Sequence, residues 1–255
     1  MYPELFSIGS WTIHTYGILI ATGALLGFWY MAREAKGLGV EMETIQSMAI
    51  LIILASIIGG KFFFYLEKPS KYFWDFSAMA RDFRNGFVFY GSFIFAVPTM
   101  IWFFRKNKIP ALPMLDSMAF LALILHGFGR LGCFMAGCCY GKETDGPIFI
   151  TFTNEAAVAP TDVHLHPTQL YSVFLLLSIF VALRMFKRHQ RFEGQLFFLY
   201  IIFYAIGRGI IEIFRGDIRR GFIIEDWLSH SQFISIIMIA IVGFFYVQQQ
   251  KKSKT

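Results

Sequence analysis

Charge is scarce in this chain: Asp, Glu, Lys and Arg make up only 16% of its 255 residues. A soluble domain is about a quarter charged and interrupts its apolar runs sooner, so the composition excludes an ordinary water-soluble enzyme. Cysteine is nearly absent. Cys133, Cys138 and Cys139, all within one short segment, are the full complement, which excludes a disulfide-stapled scaffold. The first 32 residues contain no Lys or Arg. The positive start of a cleavable signal peptide is therefore missing, and the first apolar run is expected to be retained. No internal repeat, low-complexity segment or groove-reading motif is present. The net charge of +6 accordingly points to membrane topology and anionic lipid, with no nucleic-acid partner.

What is present is apolar. Hydrophobic residues reach 56%, aromatics 18%, and Phe alone accounts for 31 residues; the mean hydropathy is +0.55. A membrane-crossing helix needs about 20 predominantly apolar residues. Such runs occupy 11–32, 45–66, 87–104, 111–130, 168–186, 194–214 and 229–247. The expected fold is an all-α polytopic integral membrane bundle of about seven helices, one transmembrane domain over 1–255. With the N-terminus outward, twelve basic residues fall in the inner loops and in the tail that ends at Lys251, Lys252 and Lys254. The outer loops hold eight: Lys68, Lys71, Arg81, Arg84, Lys142, Arg215, Arg219 and Arg220. This bias favours an N-out, C-in orientation. The longest connections, near 67–86 and 131–167, are then extracytoplasmic insertions, and loops of that length are commonly functional. Thr151-Phe152-Thr153 suggests a short strand within the second. Trp11, Trp74 and Trp227 suit interfacial aromatic belts.

Three basic residues, Lys61, Arg130 and Arg208, remain inside or at the edge of the bilayer. An arginine at the centre of a span costs about 2.5–3.5 kcal/mol to insert on translocon scales. An anionic lipid headgroup is one way to offset that cost. His126, Arg130 and Cys133 share a helical face at i, i+4 and i+7, if the fourth helix persists that far. Tyr204, Arg208 and Glu212 repeat at i, i+4 and i+8 on the sixth run, with Arg215 just beyond. Ionisable residues in a span face the bundle interior or a wet cavity, and two guanidiniums there can grip a phosphate through paired N–H donors. A structural Arg208–Glu212 pair, with Arg130 reaching to the interface, accounts for the same residues. Gly59-Gly60 suits close helix approach.

The cysteines form C-x4-C-C, which matches no zinc signature. Small packing residues, a Cys133 bridge to Cys138 or Cys139, and a metal site with His126 are all open readings; no metal ligand or cofactor is assigned. His14 is either an interfacial histidine or a proton acceptor. His166-Pro167 reads as the turn opening the fifth run, with Gln169 free to satisfy backbone groups, or as a substrate contact.

Six short motifs occur in order along the chain: Phe6-Ser-Ile-Gly9 with His14-Thr-Tyr-Gly17; Gly59-Gly-Lys61; Gly129-Arg-Leu-Gly132; His166-Pro-Thr-Gln-Leu-Tyr171; Gly207-Arg-Gly-Ile-Ile-Glu-Ile-Phe-Arg-Gly-Asp217; and Ser231-Gln-Phe-Ile-Ser-Ile236. In this order they resemble the bacterial prolipoprotein diacylglyceryl transferases, seven-span enzymes of the cytoplasmic (inner) membrane. The resemblance implies transfer of diacylglyceryl from phosphatidylglycerol to the lipobox cysteine thiol of a prolipoprotein, with release of glycerol phosphate. It implies Arg130, Arg208, Tyr90 and His14 as catalytic residues. Arg130, Tyr16, Glu212, Tyr204 and His166 are implied as substrate contacts.

The departures mark a divergent subtype. Cys133 stands where the family has asparagine, Cys138 where it has glutamate, Tyr90 where it has histidine, and Lys61 where it has arginine. The base is open. His14 and His126 are suited by their ordinary pKa, whereas Tyr90, near 10 in a free tyrosine, needs strong local help. A phospholipid-binding paralogue or transporter without transferase activity is the alternative.

Overall fold

In the computed structural model the described residues are 2–8, 11–73, 75–84, 86–216, 222–224 and 227–253. Gly9, Trp74, Asp217, Arg219, Arg220 and Lys254 lie outside them, as does the Trp11 side chain. Every apolar run is largely helix, the first only from Thr15 onward. Strands β1 (Glu4–Ile8) and β2 (Trp11–His14) form an antiparallel hairpin that leads into α1 (Thr15–Lys36). The hairpin is tied to that helix by Thr15, whose amide donates to the Pro3 carbonyl and whose hydroxyl donates to the Tyr2 carbonyl. Then come α2 (Met42–Leu66), the short α3 (Pro69–Tyr72) and α4 (Phe76–Arg81), α5 (Phe89–Lys106) and α6 (Ala111–Ala136). Strands β3 (Ile150–Thr151) and β4 (His164–Leu165) pair ahead of α7 (Thr168–Phe186), followed by α8 (Gln195–Ile211). Strands β5 (Phe222–Ile224) and β6 (Leu228–Ser229) precede α9 (His230–Lys252).

Among the described residues six helices are long and apolar enough to cross a membrane: α1, α2, α6, α7, α9, and α8 with its short continuation to Phe214. The seventh run, α5, has 18 residues, ends in Arg105 and Lys106, and carries Pro98. Large apolar side chains such as Leu25, Ile53, Phe174 and Phe244 are exposed on these helices. A soluble protein would hide such a surface, whereas lipid matches it. The expectation of a helical membrane chain holds for these six helices, to which three two-stranded antiparallel sheets are added among the described residues.

The chain divides into two compact units. Residues 32–114 form one, and residues 1–31 with 115–255 form the other. In the first, α2 and α5 meet through glycines: a Cβ on Gly59 would strike the Gly91 carbonyl oxygen, and one on Gly91 the Gly59 carbonyl oxygen. Lipid tails are as apolar as Leu, so helix contact in a bilayer is driven by close packing, and small residues permit it. In the second unit the core is Phe120, Leu123, Leu176, Ile179, Leu183 and Leu196, with the Tyr30 ring against Phe120 and Phe180.

The register of α6 against α8 is set by Asp116. Its carboxylate is buried and accepts the amides of Gly194 (2.8 Å) and Phe197 (2.9 Å) and the Gln190 side-chain amide (2.6 Å). Gly194, at the N-cap of α8, has no side chain to offer its helix, so a carboxylate from α6 satisfies the free amides and meets the positive end of the dipole. Both helices run in the same direction from this point. Ten residues on, about 15 Å at 1.5 Å per residue, they meet again at the polar cluster.

Candidate active site

The polar cluster is built on α6 and α8. The Arg130 guanidinium folds back one turn, and its Nε donates to His126 Nε2 at 3.3 Å. The Tyr204 hydroxyl lies 3.4 Å from the same nitrogen, and the two rings meet edge to face with centroids 4.9 Å apart. A donor aimed at Nε2 requires a lone pair there, so His126 is a neutral imidazole with its proton on Nδ1. Arg208 also lies within electrostatic reach of this ring. One turn further along, Arg208 Nη1 is 2.5 Å from Glu212 Oε2, and Arg215 Nη1 is 3.6 Å from the same oxygen. Glu212 is 3% exposed. Two guanidiniums thus meet one carboxylate, and Arg130 lies against the same His126 ring that Arg208 influences, a local excess of positive charge suited to an anion.

The helix ends shape the rest. The fourth span does persist: α6 runs to Ala136, so Cys133 lies on it and the connection expected from 131 starts at 137. The helix stops at Gly137, whose φ of 72° is in the left-handed region, where a residue without Cβ is at ease. Cys139 follows with φ 60°, a conformation that costs a non-glycine residue about 1–3 kcal/mol. The turn is pinned at four points. The Cys138 amide donates to the Cys133 carbonyl, and the Gly137 amide to the Phe134 carbonyl. The buried side chains of Gln169 and Thr168 donate to the carbonyls of Cys138 (2.8 Å) and Cys139 (2.7 Å). Gln169 therefore does satisfy backbone groups. The outcome is that three sulfurs lie within 4.8 Å of one another as free thiols. Cys139 is held below the ordinary thiol value by the neighbouring Cys133 and Cys138 side chains, with Arg130 and Arg215 adding to the effect.

The connection from 137 to 167 carries a small core of its own, Phe152, Ala159 and Leu165. The strand expected at 151–153 lies earlier, at Ile150–Thr151, paired with His164–Leu165, and Phe152 makes only an isolated bridge to Thr161. The connection clips to the segment after α8, the Lys142 amide donating to the Phe214 carbonyl and that of Gly216 to Tyr140, while within the connection the Gly141 amide donates to the His166 carbonyl. Arg215 and the cysteine turn are brought to the same end of the site in this way. His166 lies in the clip, with Nδ1 3.1 Å from the Tyr171 hydroxyl and its ring against Phe214. Tyr16, at the start of α1, packs on α6 at Gly132, where a Cβ would come within 2.7 Å of its ring. It lies within electrostatic reach of Arg130 and of all three cysteines.

Of the residues singled out from sequence, Arg130, Tyr204, Arg208, Glu212 and Tyr16 come together in one unit, with His166 at its margin. His14 ends β2, exposed, with Glu4 as its strand partner. Tyr90 belongs to the other unit, near the start of α5, and is 65% exposed. Lys61 is in that unit too, and its ammonium donates to the Gly86 carbonyl at 2.8 Å. Trp227 is exposed. Two features were missed from sequence. Asp116 was overlooked although a lone carboxylate in an apolar run is itself a signal, and the convergence of the cysteines is not carried by their spacing.

Comparison with known proteins bears on what this cluster serves. A family model described as prolipoprotein diacylglyceryl transferase matches residues 3–248. A phosphatidylglycerol–prolipoprotein diacylglyceryl transferase of Clostridium tetani is 39% identical over 245 residues, covering 96% of each chain. Clostridium perfringens has a relative, named phosphatidylglycerol–prolipoprotein diacylglyceryl transferase 2, that is 33% identical over 98% of this chain and 96% of its own. A Dehalococcoides mccartyi protein bearing the first of these names is 31% identical over 99% of this chain and 95% of its own. Together with the apolar helices and the arginine cluster, these matches establish that the chain belongs to the prolipoprotein diacylglyceryl transferase family.

Proposed function

We propose that this multi-pass membrane transferase moves the diacylglyceryl group of phosphatidylglycerol onto the lipobox cysteine of a prolipoprotein in the bacterial cytoplasmic membrane. The observation that carries the reading is the pairing of Arg208 and Arg215 on Glu212, with Arg130 held beside them on His126, in a chain whose full-length relatives bear that enzyme's name. The peptide thiolate attacks the glyceryl carbon that bears the phosphate. A sulfur–carbon bond forms, the carbon–oxygen bond breaks, and the electron pair leaves with glycerol phosphate. Charge on the departing phosphate is what preorganised guanidiniums stabilise best.

In this reading Arg130 and Arg208 hold the phosphate, and Glu212 keeps Arg208 and Arg215 aligned. Tyr204, Tyr16 and His166 contact the headgroup side. His14 and Tyr90 remain candidate proton-handling residues, and His126 can serve as base only by giving up its contact with Arg130. An apolar cavity of about 230 Å³ opens between α6 and α7, lined by Leu123, Gly127, Phe128, Leu131, Val173 and Leu177; it suits an acyl chain. Seven spans with the N-terminus outward, and insertions near 67–86 and 131–167 on the outer face, complete the proposal.

The test is turnover by purified protein in detergent, given phosphatidylglycerol and a lipobox peptide, with mass spectrometry for the thioether. A diacylglyceryl thioether with released glycerol phosphate is expected. Lipid binding without product would overturn the reading in favour of a phospholipid-binding paralogue or transporter.

A further inference from the structure

The C-terminal end of α6 holds a feature that phosphate binding does not use. Cys133, Cys138 and Cys139 place three sulfurs within 4.8 Å of one another. A tetrahedral zinc site with Zn–S bonds of about 2.3 Å needs sulfurs about 3.8 Å apart, so each must move inward by about 0.6 Å at most. Small side-chain rotations supply that. The backbone is already committed, because Cys139 sits at φ 60° and the carbonyls of Cys138 and Cys139 are held by the buried Gln169 and Thr168 side chains. Outer contacts of this kind are what fix ligand direction at metal sites. All three cysteines are half-buried rather than sealed in a core. Three thiolates around a divalent ion leave one net negative charge, and Arg130 and Arg215 both lie within electrostatic reach of Cys139. Three soft ligands with one position left over is the pattern of an open site for a thiophilic d10 cation.

We propose that Cys133, Cys138 and Cys139 bind one Zn²⁺ and that its fourth position takes the thiol of the incoming peptide. The second half rests on the transferase reading above. A thiol that coordinates zinc is deprotonated, so the peptide sulfur binds as thiolate and its proton passes to solvent. Its lone pair then attacks the glyceryl carbon; the sulfur–carbon bond forms as the carbon–oxygen bond breaks, and the electron pair leaves on the phosphate. Zinc is neither oxidised nor reduced.

The experiment uses the full chain in detergent under a non-thiol reductant. Zn²⁺ is added, excess is removed, and bound metal is counted by mass spectrometry; a parallel sample receives Co²⁺ and is read by absorption. One zinc per chain is expected, with thiolate-to-cobalt charge transfer, and at least tenfold weaker binding in Cys138→Ser. Alkylation mapping of the wild-type chain covers the case in which that variant fails to fold: zinc should protect all three thiols. Less than a tenth of a zinc per chain with three thiols open to alkylator would overturn the site. So would a Cys–Cys bridge in protein isolated without reductant.

A lipobox peptide should alter the cobalt spectrum, and its Cys→Ser analogue should not. No change with either peptide would overturn the fourth-position assignment. Thioether formation should fall at least tenfold in zinc-depleted protein and return with Zn²⁺. Equal turnover in both samples would overturn the catalytic step while leaving the transferase reading intact. Zinc binding without turnover in either sample would overturn the transferase reading while the metal site stands.

Discussion

Glu212→Gln tests the charge balance of the cluster most directly. The wild-type oxygen faces Arg208 at 2.5 Å and Arg215 at 3.6 Å, and the carboxylate is 3% exposed. At an effective dielectric near 20, each contact is worth roughly 4–7 kcal/mol of Coulomb attraction, most of it offset by desolvation. Removing one partner of a buried pair costs about 3–5 kcal/mol, because the remaining charges are left uncompensated. Here two guanidiniums would face one another across a neutral amide. For a chain of this size, roughly 2–4 °C per kcal/mol makes the expected fall in Tm on the order of 10 °C. Thermal unfolding in detergent would be followed by tryptophan fluorescence for the wild type, Glu212→Gln, Arg208→Met and the double variant. The double variant should melt higher than Glu212→Gln alone, since deleting both charges removes the repulsion. A Tm for Glu212→Gln within about 2 °C of the wild type, with no coupling in the cycle, would refute the reasoning.

Further expectations concern function, packing and pH. Arg130→Ala should insert and extract normally yet lose about 100-fold or more in turnover, in line with removal of a preorganised charge; full activity in the thioether assay would remove Arg130 from phosphate binding. Gly59→Leu should push α2 from α5, since even a Cβ meets the Gly91 carbonyl oxygen. Overpacking of this kind costs about 1–3 kcal/mol, read as a lower Tm, and an unchanged Tm would contradict the close approach. Asp75 caps α4, and the Ser77 hydroxyl followed by the Ala78 amide holds its carboxyl below the ordinary 3.8. The stabilisation is therefore present above that ordinary value and lost as pH falls through the lowered one. Amide exchange at Ala78 should quicken on acidification below pH 4, and Asp75→Ala should abolish the pH dependence.

The parts legible in the sequence share one physical basis: they follow from spacing along a single helix. The apolar runs became helices, six of them long and apolar enough to cross a bilayer, which permits little else, and the faces joining His126 to Arg130 and Arg208 to Glu212 follow from 3.6 residues per turn. What escaped depends on contacts between segments. Asp116 serves a helix 78 residues away, and only the folded register shows which helix. The cysteines stay open between packing, a bridge and a metal site in the sequence because C-x4-C-C has no recognised spacing, whereas two left-handed backbone positions decide where their sulfurs point. The end of α6 was placed too early: the connection was expected from 131, yet Gly132 is helical and its missing side chain admits the Tyr16 ring.

The Asp116 contact makes α6 and α8 a pair of rulers with a common zero. Arg130 and Arg208 are matched in depth because both are counted from one buried carboxylate about 21 Å away along the helices, roughly two-thirds of the hydrocarbon thickness. Composition between the zero and the arginines can drift freely among apolar residues without disturbing the match. A single inserted residue on either helix would instead rotate its arginine by about 100° and shift it by about 1.5 Å. The chemistry of this chain is thus tolerant of substitution and intolerant of length.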